Sequence, residues 1–537
     1  MELNLESLKD VSAWEQAGIG VPAYDVEAAA RLARERPRWV HMGIGNIFRV
    51  FIAGIADELL ASGDLDRGIT CVEAYDFEIV DRIYRPFDNL GVNVILYGDG
   101  SRDIRVTGSM AEAVKACPGE NGDMERLKEI FRSEDLQLVS FTITEKGYSL
   151  YASDGSFLPG TVHDIEEGPG GASGAVGILT AMLLERYRGG GHPVALVSMD
   201  NVSRNGALLQ EAVAAIAREW AGRGYVPAGF TEWIADPSRV SFPWTMIDKI
   251  TPRPAAGIAE DLERLGLRNM APLETGKRTY IAPFANAEEP QYLVIEDAFS
   301  NGRPVLENGH GVFLADRETV DKAERMKVSS CLNPVHSALG PLGVVLGIEL
   351  FPDLLKDPVL LKMGKTVLYD EGLPMAPHPG ILSPNAFADE LFADRFPNEY
   401  LGDTNLRLST DVSKGLGVRF GVTMKAYAGI YGSAERLTGI PLGIAAWLRY
   451  MLAVDDAGNP YELAPDPMNE EISQLLAPIR IGEPQSLTDQ LVPVLSNPNL
   501  FFSDLYEIGI GKKIEEMFRD MIRGKGAVRE TVCRYFG

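Results

Sequence analysis

From about residue 38 to residue 200, short β-branched runs alternate with longer stretches of helical periodicity, the pattern of a parallel sheet covered by helices. The expected strands are Trp39–Met42, Ile69–Val72, Val92–Tyr97, Leu136–Phe141 and Val194–Val197. After the first of them Phe48, Phe51, Ile52, Ile55 and Leu59 recur at helical spacing, with Gly63 as the expected stop. Strand, glycine turn and helix thus follow one another. Beyond about residue 300 the strand signal fades, and helical patterns such as Leu442–Val454 and Ile514–Ile522 are separated by turns containing Pro and Gly. The expected fold class is an α/β Rossmann-like parallel-sheet domain over residues 1–298, followed by a mostly α-helical substrate and catalytic domain over residues 299–537. The break is placed near 296–303, where a strand-like run passes into a loop.

A chain of 537 residues exceeds what one core usually serves, which agrees with two domains. A formal charge of -25 repels a phosphate backbone and an anionic membrane surface, so neither nucleic acid nor membrane is an expected partner. Cys71, Cys117, Cys331 and Cys533 are widely separated and form no C-x-x-C pair, which favours a reducing compartment and disfavours a structural zinc site. The N-terminus is acidic and lacks the regions of a signal peptide. The longest apolar stretches, Ala175 to Leu184 and Pro341 to Leu350, fall short of the roughly 20 residues of a spanning helix. A cytoplasmic protein is expected.

Gly43-Ile44-Gly45-Asn46-Ile47 supplies two glycines of a dinucleotide fingerprint, one for the tight turn and one letting the backbone approach a pyrophosphate. Phe48 stands at the third position, so the turn alone is weak evidence and its context matters. It follows the first strand and opens an amphipathic helix, whose N-terminus favours an anion. The second strand leads to Glu73, which can accept hydrogen bonds from both adenosine ribose hydroxyls and would repel a 2′-phosphate, favouring NAD over NADP. Asp76 is the reserve candidate; a helix cap or a solvated loop charge is the plainer reading of either.

The segment Lys327-Val328-Ser329-Ser330-Cys331-Leu332-Asn333-Pro334-Val335-His336 holds the candidate chemistry. Asn333 before Pro334 reads as a helix N-cap and first residue, so a helix is expected to start there, with His336 in its first turn and Lys327 ending the preceding element across a corner. Interconverting an alcohol and a ketone requires a base for the hydroxyl proton while hydride leaves the same carbon. A desolvated lysine can be that base, amide NH2 groups can stabilise a developing alkoxide, and a histidine can orient the oxygen without a metal ion. The plain alternative is a solvated lysine and a structural histidine.

Lysine, then Asn-x-x-His-Ser-Ala-Leu, resembles the signature of the long-chain mannitol dehydrogenase family of polyol and hexuronate oxidoreductases. Further motifs in the family's order are His41-Met42-Gly43-Ile44-Gly45 with Arg49, Thr144-Glu145-Lys146-Gly147-Tyr148, Ser198-Met199-Asp200-Asn201 with Asn205-Gly206, and Phe242-Pro243. Asp248 to Pro252, Val294 to Asp297, Arg395-Phe396, Asp403-Thr404, Arg407, Asp411, Ser413 and Lys414 complete the set. The resemblance implies Lys327 as general acid/base, Asn333 and Asn201 as oxyanion-hole amides, His336 as the residue holding the reactive oxygen, and Glu324 as the link from lysine to solvent. It adds Thr144 to the cofactor site of Gly43, Ile44, Gly45, Asn46, Ile47 and Glu73, and Asp248, Arg407 and Lys414 to the substrate site.

Two departures stand out. Lys327 is one residue farther from Asn333 than the family's lysine usually is, and Ile47-Phe48 replaces the Phe-His that many relatives carry. The implied cofactor is NAD, the implied substrate a small sugar acid or polyol, and no metal is implied. The Cys-Leu-Asn-Pro-Val-His form is closer to bacterial mannonate oxidoreductases than to mannitol enzymes, so reduction of D-fructuronate to D-mannonate is the expected reaction. Arg407, Lys414 and Arg419 offer cations for such a carboxylate. Oxidation of a mannitol- or arabinitol-type polyol and reduction of tagaturonate are the alternatives within the family; a non-catalytic NAD-binding sensor is the alternative of another class.

Overall fold

The computed structural model of the protein describes residues 1–119, 121–152 and 154–537. The chain forms two compact units, Met1–Asp321 and Lys322–Gly537.

The first unit is built on six strands: β1 (Trp39–Met42), β2 (Ile69–Glu73), β3 (Met110–Lys115), β4 (Leu138–Phe141), β5 (Val194–Ser198) and β6 (Val240–Ser241). They lie in the order β3-β2-β1-β4-β5-β6, and every neighbouring pair is parallel. That is the doubly wound order of a dinucleotide-binding sheet, whose order reverses between β1 and β4. The Rossmann-like expectation is borne out. Strand alternation sorts the core into two faces: Val40, Met42, Val72, Val139, Phe141 and Leu196 pack on one side, while Trp39, Cys71, Leu138 and Val197 pack on the other with Phe48, Phe51, Ile55 and Leu59. The latter four belong to the helix that runs through a π-turn, Phe48–Ile52, into Ala53–Ser62. It stops at Gly63, whose φ of 81° is the left-handed cap expected there.

One expected strand lies in another sheet, and one strand of the main sheet was not expected. The run expected at Val92–Tyr97 forms Gly91–Leu96 and lies outside the six-stranded sheet, between Phe284–Glu288 and Arg102–Thr107. The third strand of the sheet is Met110–Lys115, whose Met, Ala, Glu and Lys residues are poor strand formers. It is a strand because its backbone pairs with β2 from Ile69 to Glu73 and five of its six side chains are buried.

The stretch 296–303, expected to link two domains, lies inside the first unit. Strand Tyr292–Glu296 pairs with the later Val312–Ala315, which ties the chain to this unit past residue 303, and the division falls between Asp321 and Lys322.

Every named element lying wholly within the second unit is helical. Its centre is the pair Leu332–Val345 and Gly439–Tyr450. Every residue of the second helix is buried, and an added Cβ on Gly443 would lie 2.8 Å from that of Ala338, so the two backbones approach closely. The buried Glu371 carboxylate accepts from the amides of Gly439 at 2.8 Å and Ile440 at 2.7 Å, capping the amino end of the second helix. The runs expected at 442–454 and 514–522 correspond to Gly439–Tyr450 and Gly511–Met521.

Candidate active site

In the first unit the expected cofactor residues follow the carboxyl ends of neighbouring strands. Val40 to Met42 of β1 pair with Thr70 to Val72 of β2, and Met42 pairs with Phe141 of β4, so Gly43, Glu73 and Thr142 leave the sheet along one edge. Gly43 has φ 92°, and a Cβ there would lie 2.3 Å from the carbonyl oxygen of Thr142; only glycine fits. Around Gly45 there is nothing within 4 Å of an added Cβ, leaving the backbone open on that side. Helical structure begins at Asn46, and the buried Oδ1 of Asn46 has no hydrogen-bond partner. An open glycine and a helix start fit the pyrophosphate of a dinucleotide.

Glu73 is buried at the end of β2, where its Oε1 accepts from the amides of Tyr75 at 2.8 Å and Asp76 at 3.1 Å. Burial raises its carboxyl above the ordinary value, and amides including that of Ile44 pull it back. The carboxylate thus serves the loop after β2 as a cap and is tied to the cofactor turn. The reserve candidate, Asp76, accepts from Thr275 Oγ1 at 2.6 Å and is committed to a buried contact. Exposed Tyr75 carries the Lys277 ammonium 4.3 Å from its ring centre, a surface pair that hydropathy patterning does not signal.

Beneath the turn lies His41, fully buried and stacked on Phe48 with ring centres 4.2 Å apart. Its Nδ1 is 2.6 Å from Ser140 Oγ and its Nε2 is 2.8 Å from Thr142 Oγ1. Loss of water pushes its pKa down to about 3, so it is a neutral strut joining β1 to β4.

The motifs at 144–148 and 198–201 interlock. Asp200 accepts from the amides of Ile143 and Thr144, both at 2.9 Å, and from Tyr148 Oη at 2.6 Å. Thr144 takes φ 64°, a strained conformation that these bonds hold. Burial raises the Asp200 carboxyl, which these donors partly offset. Asn205 is buried and donates to the Asp200 carbonyl at 3.0 Å and to Thr245 Oγ1 at 2.8 Å. Exposed Asn201 therefore stands on a loop stapled at both ends. The sequence reading gave Asp200 no role; an acid directly after the apolar β5 was its signal. Asp248 is buried at the end of strand Thr245–Asp248, opposite Tyr292.

In the second unit the expected corner is absent. Helix Arg317–Arg325 passes into a π-turn, Met326–Cys331, and then into Leu332–Val345, with the Leu332 amide donating to the Lys327 carbonyl five residues back. Asn333 is not an N-cap: it is the second residue of its helix, Cys331 stands at the cap without a side-chain bond, and His336 is past the first turn. The physical reason is Pro334. It has no N–H for the carbonyl four residues back, yet its ring fits the first turn of the following helix. A π-turn can absorb one extra residue without ending a helix, and the longer spacing between Lys327 and Asn333 falls in this one.

Lys327 is buried, with 2% of its surface exposed. Asn333 and His336 are half-buried on a helix whose other residues nearby are buried, and their spacing of three places them on one face. His336 meets the rings of Phe351 and Phe396 at 4.8 and 5.1 Å. Glu324 is half-buried one turn before Lys327. Two substrate candidates sit on short helices of the same unit, Arg407 in Asn405–Leu408 and Lys414 in Val412–Leu416. Both side chains are largely exposed and already paired, Arg407 with Asp403 and Lys414 with Asp411. Among the described residues no group of three or more His, Cys, Asp or Glu side chains is arranged to hold a metal ion, and no helix is long and apolar enough to cross a membrane.

Residues 37–308 match the mannitol dehydrogenase Rossmann domain and residues 319–507 the mannitol dehydrogenase C-terminal domain. The D-mannonate oxidoreductase of Thermotoga maritima is 46% identical, over 100% of this chain and 99% of that protein. The Escherichia coli D-mannonate oxidoreductase is 30% identical, over 83% of this chain and 86% of its own. Among solved structures, Pseudomonas fluorescens mannitol 2-dehydrogenase in ternary complex with NAD and D-mannitol is 26% identical, with a TM-score of 0.73 over 99% of each chain. The chain belongs to the mannitol dehydrogenase family and carries that family's two domains in order.

Proposed function

We propose that the protein is an NAD-dependent oxidoreductase of sugar acids that interconverts D-fructuronate and D-mannonate in the cytoplasm. The observation that carries this reading is the 46% identity to a D-mannonate oxidoreductase along the full length of both chains. In the direction of reduction, bound NADH supplies the hydride to the carbonyl carbon. Lys327 gives the proton to the carbonyl oxygen, and in oxidation it takes that proton back. Its burial supports this role, because it sets Lys327 apart from an ordinary solvated surface lysine. Asn333 and Asn201 donate their amide hydrogens to the oxygen as negative charge develops, and His336 fixes that oxygen's direction. Glu324 links Lys327 to solvent.

The turn Gly43 to Ile47, with Thr144, receives the pyrophosphate side of the cofactor. Glu73 accepts from the adenosine ribose and excludes a 2′-phosphate. Asp248, Arg407 and Lys414 contact the substrate.

Oxidation of a neutral polyol is the second reading, favoured by the likeness to a mannitol 2-dehydrogenase. Initial rates of NADH and NADPH oxidation with D-fructuronate, D-tagaturonate, D-fructose and D-xylulose decide between them. The expected result is the highest kcat/KM with D-fructuronate and NADH. A preference for D-fructose would establish the polyol reading, and NADH binding without turnover of any of the four would leave a sensor.

A further inference from the structure

A guanidinium withdrawn from water normally meets a carboxylate or several carbonyl oxygens, as buried Arg186 does. Arg419 does not. It stands in the π-turn Gly417–Gly421, half-buried, and its Nη1 donates to Ser337 Oγ at 2.8 Å. Among the described residues this is its one hydrogen bond, and no acid lies within ion-pairing distance. Asp411 favours its charge only from farther off and is itself paired with Lys414 at 3.1 Å. The contrast with Arg407 and Lys414 is direct: those cations have carboxylates of their own, whereas Arg419 has spare donors and a side that water reaches.

The surroundings are built to hold it. An added Cβ on Gly415 would lie 2.4 Å from Nε of Arg419, so glycine there clears the guanidinium's place. Ser337 is fully buried and fixes one edge of the fork. It follows His336 directly and lies four residues after Asn333, so it is ~5–6 Å along the same helix face from the asparagine. That step is within the length of a six-carbon chain.

We propose that Arg419 holds the carboxylate of the substrate and is the residue by which the enzyme separates a sugar acid from a neutral sugar. The inference rests on the sugar-acid reading above. Two parallel N–H donors suit a carboxylate and gain little from a hydroxymethyl group at the same position.

The test compares D-fructuronate with D-fructose in the wild type, R419Q, R419K and S337A, with thermal melting as the folding control. For R419Q, kcat/KM with D-fructuronate is expected to fall roughly 10- to 100-fold, mainly through KM. The loss with D-fructose is expected to be at least ten times smaller, and R419K to recover part of the difference. Equal losses with both substrates would overturn the proposal and leave Arg419 a packing residue. A wild type that prefers D-fructose would overturn the sugar-acid reading first, and this inference with it. Should R419Q not fold, the ratio of the two efficiencies in R419K and S337A decides in the same way.

Discussion

The proposed cofactor turn of the first unit and the proposed catalytic run at Lys327 in the second are built by opposite means. Around Gly43 regular structure makes the site: β1, β2 and β4 end in register, and the residues that leave them meet because the strands do. Around Lys327 the site arises where regular structure is interrupted, in a π-turn that shifts one side chain relative to the α-helix that follows. The first arrangement repeats wherever such a sheet is built, so it specifies a cofactor class. The second is set locally, by a π-turn and the proline that follows it.

The largest expected effect separates the two regions outright. Lys327→Ala should lower kcat by roughly 10²- to 10⁴-fold while NADH affinity, read by fluorescence titration, stays within a few-fold. An unchanged kcat would remove Lys327 from the acid/base role. Gly43→Ala should do the reverse. A Cβ placed 2.3 Å from a backbone carbonyl has nowhere to move, and a positive φ adds strain. A loss of about 3 kcal/mol of stability is expected with weakened NADH binding. Unaltered NADH affinity in a folded Gly43→Ala protein would contradict the cradle.

Much of the first region was legible in the sequence, because its signals are local: a β-branched strand, two glycines, a helical period and a glycine stop at Gly63. The misses there came from pairing across the sheet. Met110–Lys115 has the composition of a helix and becomes a strand through its partner β2. In the second region the residue types of Lys327, Asn333 and His336 were legible but their geometry was not. Asn333-Pro334 reads equally well as a helix start and as the residues after a π-turn, and only the packed structure chooses. The half-buried, unpaired state of Arg419 has no sequence signal at all, since Gly415 and Ser337 meet it only in three dimensions.

A pH series sharpens the first half of the comparison. The folded state holds the His41 pKa at about 3, below its unfolded value of roughly 6.5. The unfolded chain therefore binds this proton first as pH falls. Stability from His41 is complete above about pH 6.5 and is lost progressively toward pH 3, costing about 2 kcal/mol between pH 6.5 and pH 5. Asp57, raised by burial to about 6, works in the opposite sense, because the folded state holds its proton where the unfolded chain releases it. The two slopes partly cancel in the wild type. His41→Asn removes one of them, so denaturant unfolding of this variant should lose less stability between pH 6.5 and pH 5 than the wild type does. Parallel pH profiles would mean that His41 titrates in the fold as it does in the unfolded chain.

The smallest effect tests whether the π-turn of the second region is held by its neighbours. Pro334 offers no N–H to the carbonyls of Ser329 and Ser330, five and four residues back. Buried Thr423 supplies one replacement, its Oγ1 donating to the Ser329 carbonyl at 3.1 Å. The other carbonyl, on Ser330, is backed by Gly372, where an added Cβ would lie 2.1 Å from it. Thr423→Val keeps the shape and removes the hydroxyl, so it should cost about 1 kcal/mol in denaturant unfolding, with Thr423→Ser recovering most of it. If that bond also fixes the turn carrying Lys327, kcat falls a few-fold in Thr423→Val while NADH affinity holds, the Lys327→Ala pattern in miniature. An unchanged kcat at reduced stability would mean that the proline and the extra residue set the turn by themselves, and that Thr423 only satisfies a carbonyl already in place.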